Sequence, residues 1–214
     1  MSFRLLPPRV PLLKRLFDLI LTIPGLILVS PILALASLAV LLQDGRPILF
    51  RQQRPGLDGD IFSLYKLRTM RSDHDKDGKP LPDHLRLTSL GKFLRASSID
   101  DLPNLFNVLR GEMSLVGPRP LLVQYLERYT PTQMRRHEVL PGITGWAQVN
   151  GRNMLSWEDK FSLDIWYVEH WSLWLDIRIL AMTIWKVIKR DGISAPGEAT
   201  TQEFTGTHKQ NPDL

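Results

Sequence analysis

The longest feature of the hydrophobic pattern opens the chain: no charged residue occurs from Leu19 to Gln43. The run lacks a polar face and exceeds the roughly 18 apolar residues that mark a membrane helix. It is too long for the apolar part of a signal peptide and shows no obvious small-residue cleavage site. Pro24 and Pro31 fall inside it, each removing a backbone donor and favouring a bend. At Ser30-Pro31 the serine hydroxyl can satisfy the carbonyl that the proline frees. Basic residues flank both ends, Arg4, Arg9, Lys14 and Arg15 before and Arg46, Arg51 and Arg54 after. Basic flanks stay on the cytoplasmic side, so the pattern favours a bent, re-entrant helix dipping into one leaflet over a kinked span.

Further on the period changes. Alternation in "ILF" and "IFSLYKL", separated by Gly, Asp and Pro, predicts a short β-hairpin. "LTSLGKFLRAS" predicts a helix with Leu87, Leu90, Phe93 and Leu94 on one face, and "DLPNLFNVLRGEMSL" a second ending near Gly111. "PTQMRRHEVL" reads as a basic helix before turns at Pro141, Gly142, Gly145 and Gly151. In "WEDKFSLDIWYVEHWSLWLDIRILAMTIWKVIKR", Trp171, Trp174 and Trp185 mix with Arg178, Lys186, Lys189 and Arg190. That last large element fits a helix in the headgroup region and a core helix equally well. From Asp191 the chain is polar and reads as irregular.

Composition narrows the partners. Lys and Arg outnumber Asp and Glu by 27 to 22, so an anionic partner is expected: nucleic acid, phospholipid or a phosphorylated substrate. Nucleic acid is set aside, because no recognition motif is present and the aromatic residues cluster with apolar stretches. The absence of cysteine removes disulfides and thiolate chemistry. Asp73, Asp75, Asp77 and Gly78 mimic a calcium loop, but its twelfth position is His84 where a bidentate Glu is needed, so a solvated loop is expected.

The candidate chemistry lies in "SSIDDLPNLFN". Asp100 and Asp101 have a bland reading: Ser98 followed by Asp101 resembles a helix cap, with acidic residues in the first turn. They also have a chemical one. An ionised aspartate can attack phosphorus and form an acyl-phosphate. It then needs a divalent cation and guanidinium groups to neutralise the phosphate oxygens. Lys66 and Arg68 in "YKLRTM", Arg95 upstream and Arg119 in "VGPRP" supply basic groups. Mg²⁺ suits one or two carboxylates plus substrate phosphates.

"SIDDLPNLFNVLRGEMSLVGPRPLL" resembles the signature of the bacterial sugar transferases, the monotopic polyprenyl-phosphate phosphoglycosyl transferases in their short catalytic form. "KRLFDLI", "PILFRQQRPG", "YKLRTM", "LRLTSLGKFLR", "LPGITGWAQVNGRN" and "DIWYVEHWSLWLDIRIL" resemble further family blocks in the family order. The resemblance implies an α+β, mostly helical fold: a compact body with a small hairpin, a re-entrant helix broken at a Ser-Pro, and interfacial amphipathic helices. It implies a membrane-embedded segment 1–45, a cytoplasmic catalytic domain 46–194 and a polar tail 195–214, at the bacterial inner membrane. The implied reaction moves a phospho-sugar from a UDP-sugar to polyprenyl (undecaprenyl) phosphate with Mg²⁺, releases UMP and passes through a covalent aspartyl intermediate. Later glycosyltransferases would be partners in the pathway.

By the same resemblance Asp100 matches the nucleophile, and Asp101 stands where the family usually has Glu, one methylene longer. Both are candidate metal ligands. Arg95 and Arg119 match phosphate-handling arginines, Lys66 a basic residue near the site, and Asp164 an acidic position important for activity; Arg68 joins them as a candidate substrate contact. Two other readings remain: a non-catalytic membrane-anchored binding protein, and a direct glycosyltransferase that releases UDP.

Overall fold

The apolar run folds as one helix, α1 (Leu12–Asp44), continuous through Pro24 and Pro31 in the computed structural model, which describes residues 6–73, 75, 77–79, 81–151, 154–189 and 203–206. Arg4, Arg190 and most of the polar tail lie outside the described residues. Among the described residues α1 is the one helix long and apolar enough to cross a membrane. Its 33 residues reach about 50 Å, against about 30 Å for a hydrocarbon core. Pro31 has no N–H to offer the Ile27 carbonyl, and Ser30 Oγ donates to that carbonyl instead, at 2.8 Å. This is the local repair expected at the Ser-Pro step.

One stripe of α1 faces the body of the protein; Leu28, on another face, is 79% exposed. The stripe begins with charge. Lys14 donates to the Val116 carbonyl at 2.9 Å and pairs with Asp176 at 2.7 Å. Arg15 donates to the carbonyls of Val108 and Leu109 at 2.6 and 2.9 Å. Asp18 accepts from Ser114 Oγ and the Leu115 amide. The stripe ends in Val40, packed with Leu67 and Leu94. Both ends of α1 are thus fastened to the same body. Lys14 and Arg15, counted above as flanking charges, turn inward and are buried.

The expected hairpin is present. Strand β1 (Leu49–Pro55) pairs antiparallel with β2 (Ile61–Leu67), Phe50 opposite Lys66 and Arg54 opposite Phe62. A short helix α2 (Asp83–Arg86) leads to α3 (Ser89–Ala96), where Thr88 Oγ1 accepts from the Gly91 amide at 2.9 Å. A Cβ on Gly91 would stand 2.0 Å from the Thr69 carbonyl oxygen. That close approach turns Leu94 into the core and leaves Phe93, expected on the buried face, exposed. Helix α4 (Asn104–Arg110) stops at Gly111, whose φ of 78° ends the helix in the left-handed region.

Strand β3 (Ser114–Val116) pairs in parallel with β4 (Gly142–Thr144), a pairing too short for any period to reveal. Between them α5 (Pro131–Met134) begins with a Thr130–Gln133 capping box. The expected basic helix then ends in a 3-10 turn in which Arg136 and His137 are buried rather than solvated. Helix α6 (Trp146–Asn150) follows β4. The last large element is two helices, α7 (Trp157–His170) and α8 (Leu173–Lys189), separated at Trp171. Helix α8 satisfies both readings of its pattern: Leu175 and Ile179 are in the core, while Trp174, Ile184 and Trp185 are exposed. The tail is not polar throughout, for Phe204 is fully buried.

Candidate active site

Ser98 does not cap a helix. It adopts a left-handed backbone (φ 57°) and makes no capping hydrogen bond; a 3-10 turn Ile99–Asp101 follows. A serine in that region is strained by about 1 kcal/mol. The turn swings the two aspartates out of α3 toward the end of β2 and the loop after β3.

Asp101 is the more open of the pair. It meets Lys66 Nζ at 2.7 Å and an Arg119 nitrogen at 3.9 Å, and accepts from Asn104 Nδ2 at 3.4 Å. Asp100 lies beside it and is buried. Burial first, and the neighbouring Asp101 second, push its carboxyl up to about 6, while Lys66, Arg95 and Arg119 pull it down. The structure therefore brings together Asp100, Asp101, Lys66, Arg95 and Arg119 from four separate segments. Arg95 is steadied by Thr69, whose Oγ1 accepts from its Nε at 3.0 Å.

An open cleft borders this cluster, with Arg54, Lys66, Asp101, Asn104 and Arg119 on its polar side and Leu64, Met113, Pro120 and Leu121 on its apolar side. Arg54 was counted only as a flanking charge. Its part-buried guanidinium donates to Gln52 Oε1 at 2.6 Å, and its Nε is buried without a partner. Burial, then the nearby Arg119, push its ionisation down to about 10. Asn104 Oδ1 is likewise buried and unpartnered. The tripeptide around Arg54 gave no signal of this; only its pairing across the hairpin does.

Two expected site residues are elsewhere. Arg68 donates to the carbonyls of Asp44, Gly45 (2.9 Å) and Arg46 (3.1 Å), closing the C-terminus of α1. Asp164 is buried on α7 and paired with Arg136 at 2.7 Å; Arg136 also donates to the Arg119 carbonyl at 2.7 Å. Asp164 is thus joined to the site through Arg136 and the backbone of Arg119.

Among the described residues no group of three or more His, Asp or Glu could cage a metal. Two adjacent carboxylates, one held up to about 6 by burial and its neighbour, do fit a magnesium ion that takes its remaining ligands from substrate phosphates and water.

The chain belongs to the bacterial sugar transferase family: the family model described as "Bacterial sugar transferase" matches residues 9–190. Among its relatives is the "Uncharacterized sugar transferase EpsL" of Bacillus subtilis (strain 168), 54% identical over 196 residues that cover 92% of this chain and 97% of that protein. The "UDP-glucose:undecaprenyl-phosphate glucose-1-phosphate transferase" of Klebsiella pneumoniae is 42% identical, covering 81% of this chain and 39% of the relative. The "Undecaprenyl-phosphate galactose phosphotransferase" of Salmonella typhimurium (strain LT2) is 40% identical, covering 84% and 41%. The chain therefore spans nearly all of EpsL and about two fifths of the latter two.

Proposed function

We propose that this protein transfers a sugar 1-phosphate from a UDP-sugar to polyprenyl (undecaprenyl) phosphate at a membrane surface. The observation that carries the reading is the Asp100–Asp101 pair set among Lys66, Arg95 and Arg119. A lipid-binding surface would use the cations and gain nothing from a buried carboxylate among them. The names of the Klebsiella and Salmonella relatives support the same donor and acceptor classes.

In this reading an Asp100 carboxylate oxygen attacks the phosphorus that bears the sugar. The bond from that phosphorus to the bridging oxygen breaks, and UMP leaves with the oxygen and its electron pair. An oxygen of polyprenyl phosphate then attacks the same phosphorus and expels the Asp100 carboxylate, giving the polyprenyl diphosphate sugar that later glycosyltransferases would extend. Lys66 holds Asp101, and Arg119 and Arg95 offset the charge gathering on the phosphate oxygens. Magnesium, held by Asp100 and Asp101, would supply further charge neutralisation.

The same reading seats α1 in one leaflet, re-entrant, with the body on the cytoplasmic face of the bacterial inner membrane. A helix whose two ends are fastened to one body does not present them on opposite sides of a bilayer. The Ser30 hydrogen bond at the Ser-Pro step and the exposed Trp174 and Trp185 on α8 support it.

The test is nucleotide release. Protein in nanodiscs is given polyprenyl phosphate, Mg²⁺ and a panel of UDP-sugars, with UMP and UDP assayed separately. UMP from one donor, lost in Asp100→Asn, is the expected result. UDP would mean direct glycosyl transfer, and no nucleotide from any donor would leave a binding protein.

A further inference from the structure

The segment Glu203–Gly206 takes no part in the site, yet it is firmly held. Phe204 is fully buried among Tyr125, Tyr129, Trp157 and Phe161, with ring centroids 5.6, 6.0, 5.5 and 5.0 Å away. Its amide donates to Tyr125 Oη at 3.1 Å, and its carbonyl accepts from Arg128. Glu203 accepts from Arg128 at 2.8 Å and from Gln124 at 2.7 Å. An aromatic anchor in a closed pocket, with an ion pair at the rim, is the arrangement by which short peptides dock.

The pocket adjoins the cleft by two routes. Tyr125 and Arg128 belong to the 3-10 turn Val123–Arg128, which follows Arg119, Pro120 and Leu121 of the cleft wall; Leu121 also packs in the aromatic cluster. Separately, the rings of Tyr129 and Phe161 carry the guanidinium of Arg136 at 5.9 and 5.8 Å, and Arg136 donates to the Arg119 carbonyl at 2.7 Å. Without the Phe204 ring both supports lose a packed face.

We infer that Glu203–Gly206 is an intramolecular strap whose anchor, Phe204, positions the Arg119–Leu121 wall for the sugar-nucleotide donor. Phe204 is a positioning residue, and the inference rests on the reaction proposed above. A shift of about 1 Å in a phosphate-holding group is enough to cost one to two orders of magnitude in rate.

The test uses the full chain carrying Phe204→Ala, Phe204→Leu or Glu203→Gln. Phe204→Ala is expected to lower kcat/KM for the UDP-sugar about tenfold while leaving KM for polyprenyl phosphate unchanged, and Phe204→Leu to recover most of the loss. A peptide of sequence TTQEFTGTH, residues 200–208, is expected to bind the Phe204→Ala chain and restore its donor kinetics; the same peptide with Ala for Phe is not. Hydrogen exchange should quicken at the amides of 121–129 and stay unchanged in β1 and β2. Unchanged exchange at 121–129, or a loss shared equally by donor and acceptor that the peptide does not rescue, overturns the strap. If Phe204→Ala fails to fold, Glu203→Gln takes its place with the same exchange readout. If the wild type releases no UMP, the proposed reaction fails, and the strap stands or falls on exchange and peptide binding.

Discussion

Two acid–base clusters flank Arg119, and they are built in opposite ways. On one side Arg136 and Asp164 are both buried and paired: two hydrogen bonds to Asp164 Oδ2 join them, and the guanidinium also donates to the Arg119 carbonyl and Tyr129. On the other, Asp100 and Asp101 repel each other, Arg54 has a buried Nε without a partner, and so does Asn104 Oδ1. The first cluster holds a loop in place. The second carries polar groups that the fold leaves unmatched, and a phosphate and its counter-ion would match them.

The sharpest way to break this comparison is Asp100→Asn. UMP release should fall about 10⁴-fold or more, as when a nucleophile is removed, while the melting temperature holds or rises. Retention of a tenth of the activity would put Asp100 on the structural side. Next in size is Asp164→Asn, which strands a buried guanidinium and should cost about 3–5 kcal/mol of stability by denaturant titration. The paired change Arg136→Met with Asp164→Leu should cost less than the single one, because no charge is left uncompensated.

His137, next to Arg136 in the chain, responds to pH, and its Nε2 is buried without a partner. Burial, then Arg136, push its imidazole down to about 4, and it shares a 3.0 Å hydrogen bond with the Gly56 carbonyl. A carbonyl only accepts, so neutral His137 donates from Nδ1. The unfolded chain gains the proton near 6.5, so the contribution of His137 to stability falls as pH drops from about 6.5 to 4, by up to about 3 kcal/mol, against an opposite contribution from Asp100, whose carboxyl is pushed up to about 6. His137→Gln should flatten that slope in melts taken across the range. The smallest effect, and the one that most refines the contrast, is Arg54→Gln. It should lower kcat/KM for the donor about 10- to 100-fold and leave stability equal or greater, since a part-buried guanidinium with an unpartnered Nε is removed.

Much of this was legible residue by residue. The apolar run, the Ser30-Pro31 step, the hairpin and the stop at Gly111 depend on neighbours within a turn or two, and the motif resemblance picked out Asp100, Asp101, Lys66, Arg95 and Arg119. What lay outside that reach shares a cause. The partners of Arg68 and Asp164, carbonyls at the end of α1 and Arg136, are not their neighbours in the chain. Arg54 passed as a flank charge because its cleft is assembled from β1, β2, α4 and the loop after β3. Phe204 was hidden by polar neighbours.

The sequence by itself determined the class of fold, the long apolar helix and the acidic pair, because periodicity, proline placement and a family motif are written within a few consecutive residues. Tertiary structure alone decided which charges are spent and which are free. Lys14 is neutralised by Asp176, 162 positions away, and Asp101 by Lys66 across the hairpin's end. A charge is silenced by whatever lies within a few ångströms, and distance along the chain says nothing about that.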